Sequence, residues 1–110
     1  MIKVEQNKEI CIISFPGITR INVNNINEIK EPITEKITPK SKVILDLSGI
    51  TYIDSSGFGV LLSFLRTSKT NESCFMLCGI MPEVMGLVKL LQLQTVFNIQ
   101  PDREACIKNC

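Results

Sequence analysis

The sequence contains no histidine and no tryptophan, and a single tyrosine among its 110 residues. Without an imidazole there is no Ser-His-Asp triad, no histidine acid or base, and no His-ligated metal. An excess of either charge is also lacking. Twelve Lys and Arg stand against 11 Asp and Glu, for a formal net charge of +1. Such a balance supplies no basic field and no acidic tail, so direct nucleic-acid binding is not expected. Cysteines are present at 11, 74, 78, 106 and 110, but never as Cys-x-x-Cys, and no metal site is expected. Long apolar runs are missing too. The longest nearly uncharged stretch, Val43 to Leu65, is broken by Asp46 and Asp54 and by Gly and Ser, which excludes membrane insertion. Residues Met1 to Glu9 are charged and lack the apolar core of a secretion signal. A cytoplasmic protein with reduced thiols is the expectation. Neither standard Gly-rich phosphate loop occurs, so no cofactor and no enzymatic activity are expected.

What is present is enough for a core. Hydrophobic residues make up 45% of the chain, and its length suits one domain over residues 1–110. Ile2 and Val4 alternate with Lys3 and Glu5 as on a half-buried strand, and Ile10 to Phe15 reads as a second strand paired antiparallel with it. Ile26, Ile29, Ile33 and Ile37 recur at one-face helical spacing, with Asn24 or Asn25 as N-cap and a kink or restart expected at Pro32. Val43 to Leu47 and Cys74 to Cys78 are dense apolar runs of the kind found in strands buried on both faces. Phe58, Leu61, Leu62 and Leu65 line a helix ending near Lys69, and Pro82 opens another that buries Val84, Leu87, Val88 and Leu91. Val96 to Ile99 reads as a last strand, and Asp102 as the cap of a final helical turn. Alternation of strands and helices from residue 43 onward implies an α/β fold with parallel crossovers. The cysteines read as small apolar packing residues, with Cys110 exposed at the terminus and a redox or metal role as the alternative.

One segment carries more than packing. Asp54-Ser55-Ser56-Gly57 joins a buried strand to an amphipathic helix. Strand-to-helix loops of open α/β sheets are the usual place for a ligand or modification site. A helix start exposes unpaired N–H groups and about half a positive charge, which stabilises an anion. Capping alone explains Asp54 or Ser55, since both types are good N-caps. Capping does not explain glycine at 57 and 59, which costs roughly 1 kcal/mol each against alanine in a helix. Removing those side chains would let another molecule's backbone approach closely.

The run from Val43 to Leu62, with Asp46-Leu47-Ser48 and then Asp54-Ser55-Ser56-Gly57-Phe58-Gly59, resembles the signature of the STAS domain family. The likeness is to its stand-alone anti-sigma factor antagonists. It is strong over residues 42–69 and extends through the order of elements. It implies a mixed, mostly parallel central sheet of about five strands, with about four helices packed mainly on one side. It further implies a regulatory binding module, monomeric when free, whose partner is an anti-sigma factor with serine kinase activity. On this resemblance the partner phosphorylates Ser56 and then lets go, and a serine phosphatase resets the protein. Asp54 orients the serine, with Ser55 and Gly57 as supporting residues. An alternative within the same family is a subunit of a stressosome-like or membrane lipid-transporter assembly.

Two positions depart from the family pattern. Many antagonists carry Gly-x-x-Asp after the second strand, with the Asp opening the first helix in a loop used for partner contact. Here Gly17-Ile18-Thr19 is followed by Arg20, so a cation replaces that Asp; it is either an ordinary solvated arginine or one that meets an acidic group on a diverged partner or a phosphate. Thr95 stands where glycine is common, a change expected to affect only a helix end.

Overall fold

The computed structural model describes all 110 residues. Its first two strands, β1 (Lys3–Asn7) and β2 (Ile10–Ser14), form an antiparallel hairpin in which Asn7 pairs with Ile10. The two-residue turn places Lys8 at a φ of 56°, a left-handed conformation that suits the twist of a tight hairpin. A two-residue strand β3 (Arg20–Ile21) and helix α1 (Ile26–Thr34) follow, and then strand β4 (Lys42–Asp46). Next come another two-residue strand β5 (Tyr52–Ile53), helix α2 (Ser55–Thr70), strand β6 (Cys74–Cys78), helix α3 (Pro82–Leu90) and helix α4 (Arg103–Asn109).

The main sheet has the order β1-β2-β4-β6, with β2, β4 and β6 parallel. Period-2 alternation divides its side chains between two faces. Cys11, Ile13, Val43, Leu45, Phe75 and Leu77 meet α1, α2 and α3 through Ile29, Ile33, Phe58, Leu61, Phe64, Val84 and Val88. Ile10, Ile12, Ile44, Met76 and Cys78 lie on the other face, against Cys106 and Ile107 of α4. Three helices on one side and one short helix on the other match the arrangement expected. Phe64 stacks edge-on against Phe75 with ring centroids 6.2 Å apart.

Several expectations need correction. Val96 to Ile99 is not a strand. A 3₁₀ turn (Leu93–Thr95) follows Gln92, whose φ of 57° ends the α3 segment, and only Ile99 reaches the sheet. Ile99 bridges Leu77, so the sheet has four full strands and one bridging residue, which fits about five. Phe97 turns into the core from this irregular stretch. Thr95 lies at the end of that 3₁₀ turn. Within α2 the buried face runs through Phe58, Leu61, Phe64 and Ser68, while Leu62 and Leu65 are only partly covered. At Pro32 no restart occurs. The helix ends two residues later, and Ile37 is buried from beyond the helix end. Val4 is exposed because β1 is an edge strand. Finally, Cys74 and Cys110 are not free thiols: a disulfide joins them, and Cys110 is half-buried. The reason is packing: α4 lies on the face of β6 from which Cys74 projects. Cys11, Cys78 and Cys106 are free and buried, as packing residues should be.

Candidate functional site

Asp54 is the hinge of the Asp-Ser-Ser-Gly segment. It is the N-cap of α2, with an extended backbone (φ −87°, ψ −177°). Its Oδ1 accepts the Gly57 N–H at 2.9 Å, the local capping bond expected of an aspartate there. The other oxygen, Oδ2, accepts the Val23 N–H at 3.1 Å, and the Asp54 N–H donates to the Ile21 carbonyl. One side chain therefore ties the helix start to the loop after β3. The Gly57 N–H holds the Asp54 carboxyl below its ordinary range, helped by the Val23 N–H and by the hydroxyl and N–H of Ser56, against a smaller effect of burial.

Ser55 is exposed at the first position of α2, and Ser56 is half-buried at the second. The two glycines differ. A Cβ on Gly57 would lie 3.0 Å from the Ile21 carbonyl oxygen and 2.5 Å from the Ile53 Cγ2, so Gly57 is required by internal packing. Gly59 is exposed with open space around it.

Arg20 does not open a helix. It pairs with Tyr52 in the parallel ladder of β3 and β5, five residues ahead of the α1 N-cap. Its guanidinium sits over the Tyr52 ring, 5.6 Å from the centroid, and remains exposed. The loop between is knitted by asparagines. Asn25 donates from Nδ2 to the Arg20 carbonyl and accepts the Asn22 N–H, so it faces backward and makes no forward capping bond. Val23, 65% exposed, and Tyr52, 43% exposed, present apolar surface from the loop and strand that Asp54 ties together. The structure thus brings Arg20, Asp54, Ser55, Ser56 and Gly57 into one local assembly held by β3 and β5. That two-residue ladder was invisible in the sequence, because two residues carry no periodicity.

A second aspartate in the same motif does different work. Asp46, 8% exposed, ends β4. Its Oδ1 accepts the Ser48 N–H and the Ser48 hydroxyl, and its Oδ2 accepts the Arg103 Nε–H at 2.7 Å. Arg103 also pairs with Glu5 at 2.5 Å, and Lys3 pairs with Glu5 at 3.1 Å. Burial pushes the Asp46 carboxyl up, but bonds from Ser48 and Arg103 outweigh it and leave it lowered. Gly79, at a φ of 66°, packs so closely that a Cβ would fall 2.5 Å from Asp46 Oδ1. In the sequence Asp46 stands out only as part of the Asp46-Leu47-Ser48 run, and Arg103 not at all. Asp-x-Ser is the local signal of the turn that Ser48 closes on Asp46, but nothing near residue 46 announces a cation at 103.

The family model for the STAS domain matches residues 1–106. Among solved structures, the chain is similar to an anti-sigma-factor antagonist (STAS) domain protein from Planctomyces limnophilus, with a TM-score of 0.86 and 21% identity over 97% of this chain and 96% of that one. It is similar to a putative anti-sigma factor antagonist from Thermotoga maritima, with a TM-score of 0.85 and 18% identity over 98% and 92%. It also resembles the Bacillus cell fate determinant SpoIIAA in its phosphorylated form, with a TM-score of 0.71 and 18% identity over the full length of both. At these identities the structural likeness carries the fold. Family-model coverage of nearly the whole chain, the sheet order and the Asp-Ser-Ser-Gly helix start agree: the chain belongs to the STAS domain family.

Proposed function

We propose that this protein is an anti-sigma factor antagonist whose binding is switched by phosphorylation of Ser56. The observation that carries this reading is the placement of Ser56. It is a half-buried serine in the first turn of a 16-residue helix, beside a carboxylate held by backbone N–H groups. On this reading Asp54 orients the serine, and the partial exposure of Ser56 supports its access to a kinase. Solved STAS proteins of the same fold are named as antagonists, and one is described in a phosphorylated form.

The physics of the switch follows from the site. A phosphate adds about −1.5 to −2 charges at pH 7. At the start of α2 it meets unpaired N–H groups, so the helix tolerates it. In a partner interface it must be desolvated beside the Asp54 carboxylate. The fold survives while binding weakens. Each ~1.4 kcal/mol of penalty is tenfold in affinity, so two such steps make a working switch. The partner is an anti-sigma factor with serine kinase activity, a serine phosphatase reverses the mark, and the antagonist is monomeric when free. Arg20, held open over Tyr52, contributes a cation to the contact surface and favours an acidic group on the partner.

The test is phosphorylation with the candidate kinase and ATP, followed by mapping of the phosphate. Ser56→Ala should abolish labelling and keep binding, and Ser55→Ala should keep both. Ser56→Glu should weaken binding roughly 100-fold with an unchanged circular dichroism spectrum. Label at another residue, or normal binding by Ser56→Glu, overturns the proposal.

A further inference from the structure

The sheet face opposite α2 carries a cysteine pattern that the Ser56 site does not use. Cys74 and Cys78 stand at the two ends of β6, four residues apart and therefore on one face of the strand. Cys106 and Cys110 are four apart at α4 and therefore on one face of that helix. The helix lies across the strand so that the residues meet in two pairs. Cys74 is joined to Cys110 with their Cα atoms 6.0 Å apart, inside the usual disulfide range of roughly 4.4–6.8 Å. Cys78 and Cys106 are neighbours in the same apolar cluster and remain thiols.

Exposure separates the pairs. Cys74 and Cys110 are half-buried, while Cys78, Cys106 and the isolated Cys11 are buried. Burial pushes the Cys78 thiol up to about 12 and raises Cys106 and Cys11 as well. Only a thiolate attacks a disulfide, so the buried three are inert and chemistry is confined to one pair.

That pair closes the far end of α4, a seven-residue helix too short to persist alone. Its near end is fastened by Arg103 to Asp46 and Glu5. Between them, Cys106 and Ile107 cover Ile10, Ile12, Ile44 and Met76.

We propose that Cys74 and Cys110 form a reversible thiol–disulfide site that latches α4 over this sheet face, with a low-molecular-weight disulfide as the oxidant. In the first step the thiolate of one cysteine attacks a sulfur of the oxidant. A mixed disulfide forms, and one thiolate leaves and takes up a proton. The second cysteine's thiolate then attacks the protein sulfur of that mixed disulfide, closing the Cys74–Cys110 bond and releasing the second small thiol. Two protein thiols are oxidised by two electrons, and one small disulfide is reduced to two thiols. Reduction by excess thiol runs the same steps backward. In the reduced protein α4 is held by Arg103, Cys106 and Ile107 alone, and it opens more often. The latch lies on the face opposite α2, away from Ser56.

The test equilibrates the full chain with mixtures of glutathione and its disulfide, maps the bonds by peptide mass spectrometry, and follows amide hydrogen exchange in α4. One intramolecular bond linking Cys74 to Cys110 should form and disappear with the buffer. Alkylation of the native reduced protein should mark Cys74 and Cys110 well before Cys11, Cys78 and Cys106. Amides of α4 should exchange at least about tenfold faster in the reduced protein, and the Cys74→Ser/Cys110→Ser double variant should match the reduced form in either buffer. A bond between any other pair, no bond at all, a stable glutathione adduct at Cys110, or equal exchange in both forms overturns the proposal.

Discussion

Asp46 and Asp54 close the two halves of one motif, and they are satisfied in opposite ways. Asp46 is buried, and its oxygens are taken by Ser48 and by an arginine from α4. Asp54 has no cation at hydrogen-bond distance and is held by two backbone N–H groups. The difference follows from solvent. A carboxylate taken out of water needs a cation or several donors, because the low-dielectric interior penalises an uncompensated charge. A carboxylate at a helix start that water still reaches needs only the local N–H groups. The first arrangement consumes its surroundings: Gly79 has no room for a side chain, and Arg103 is spoken for. The second leaves Ser55, Arg20 and Tyr52 exposed and Ser56 half-buried beside it. One aspartate thus anchors the sheet and the other organises an open surface.

Substitutions can break this contrast, and the largest effect is expected at the buried residue. Asp46→Ala should destabilise the fold by about 3 kcal/mol, because Arg103 loses its most buried partner. Chemical denaturation gives the value, and phosphorylation at Ser56 should proceed in the fraction that stays folded. A loss below about 1 kcal/mol would mean that Glu5 alone suffices for Arg103. Gly79→Ala should cost roughly 2 kcal/mol, since the added Cβ meets Asp46 and Ser48 at a backbone angle alanine avoids. By contrast, Gly59→Ala should be neutral or slightly stabilising, because the position is open and alanine is the better helix former.

Acid titration sharpens the same comparison. The Asp46 and Asp54 carboxyls are both depressed in the folded protein. Each therefore adds stability above its unfolded pKa of about 3.9, and that stability is lost as pH falls through the lower folded value. Midpoints of thermal unfolding should drop on acidification below about pH 4, and Asp46→Asn should flatten that drop. An unchanged acid limb in Asp46→Asn would place the sensitivity elsewhere. The smallest effect on stability is expected at the surface: Arg20→Ala should change it by less than about 0.5 kcal/mol, while weakening the partner complex. If Arg20→Ala binds normally, the cation is not part of the contact.

Local patterns accounted for much of this molecule. The β1–β2 hairpin, the buried runs at β4 and β6, and the isoleucine face of α1 all have a sequence period that matches their structure. The start of α2 was legible because a capping bond spans three residues. Where the reading slipped, a single long-range contact decided the outcome. Val96 to Ile99 has strand-forming residues, yet only Ile99 finds an open partner, at Leu77. Leu62 and Leu65 fit a helical face as well as Phe64 does, but Phe75 on β6 selects Phe64. Gly57 and Gly59 look alike in the sequence, and only the packing of Ile21 and Ile53 against one of them separates a required glycine from a free one.

By itself, then, the sequence determined the longer strands and helices, the family signature and the serine at the helix start. These depend on interactions between residues a few positions apart, which leave a periodic or motif-sized trace. Tertiary structure alone decided that Arg103 reaches Asp46 across 57 positions, that Asp54 grips the loop at Val23, and that Cys74 meets Cys110 across 36. Such contacts depend on where the sheet lays its strands. A carboxylate or a thiol carries no mark of its distant partner until the chain has folded.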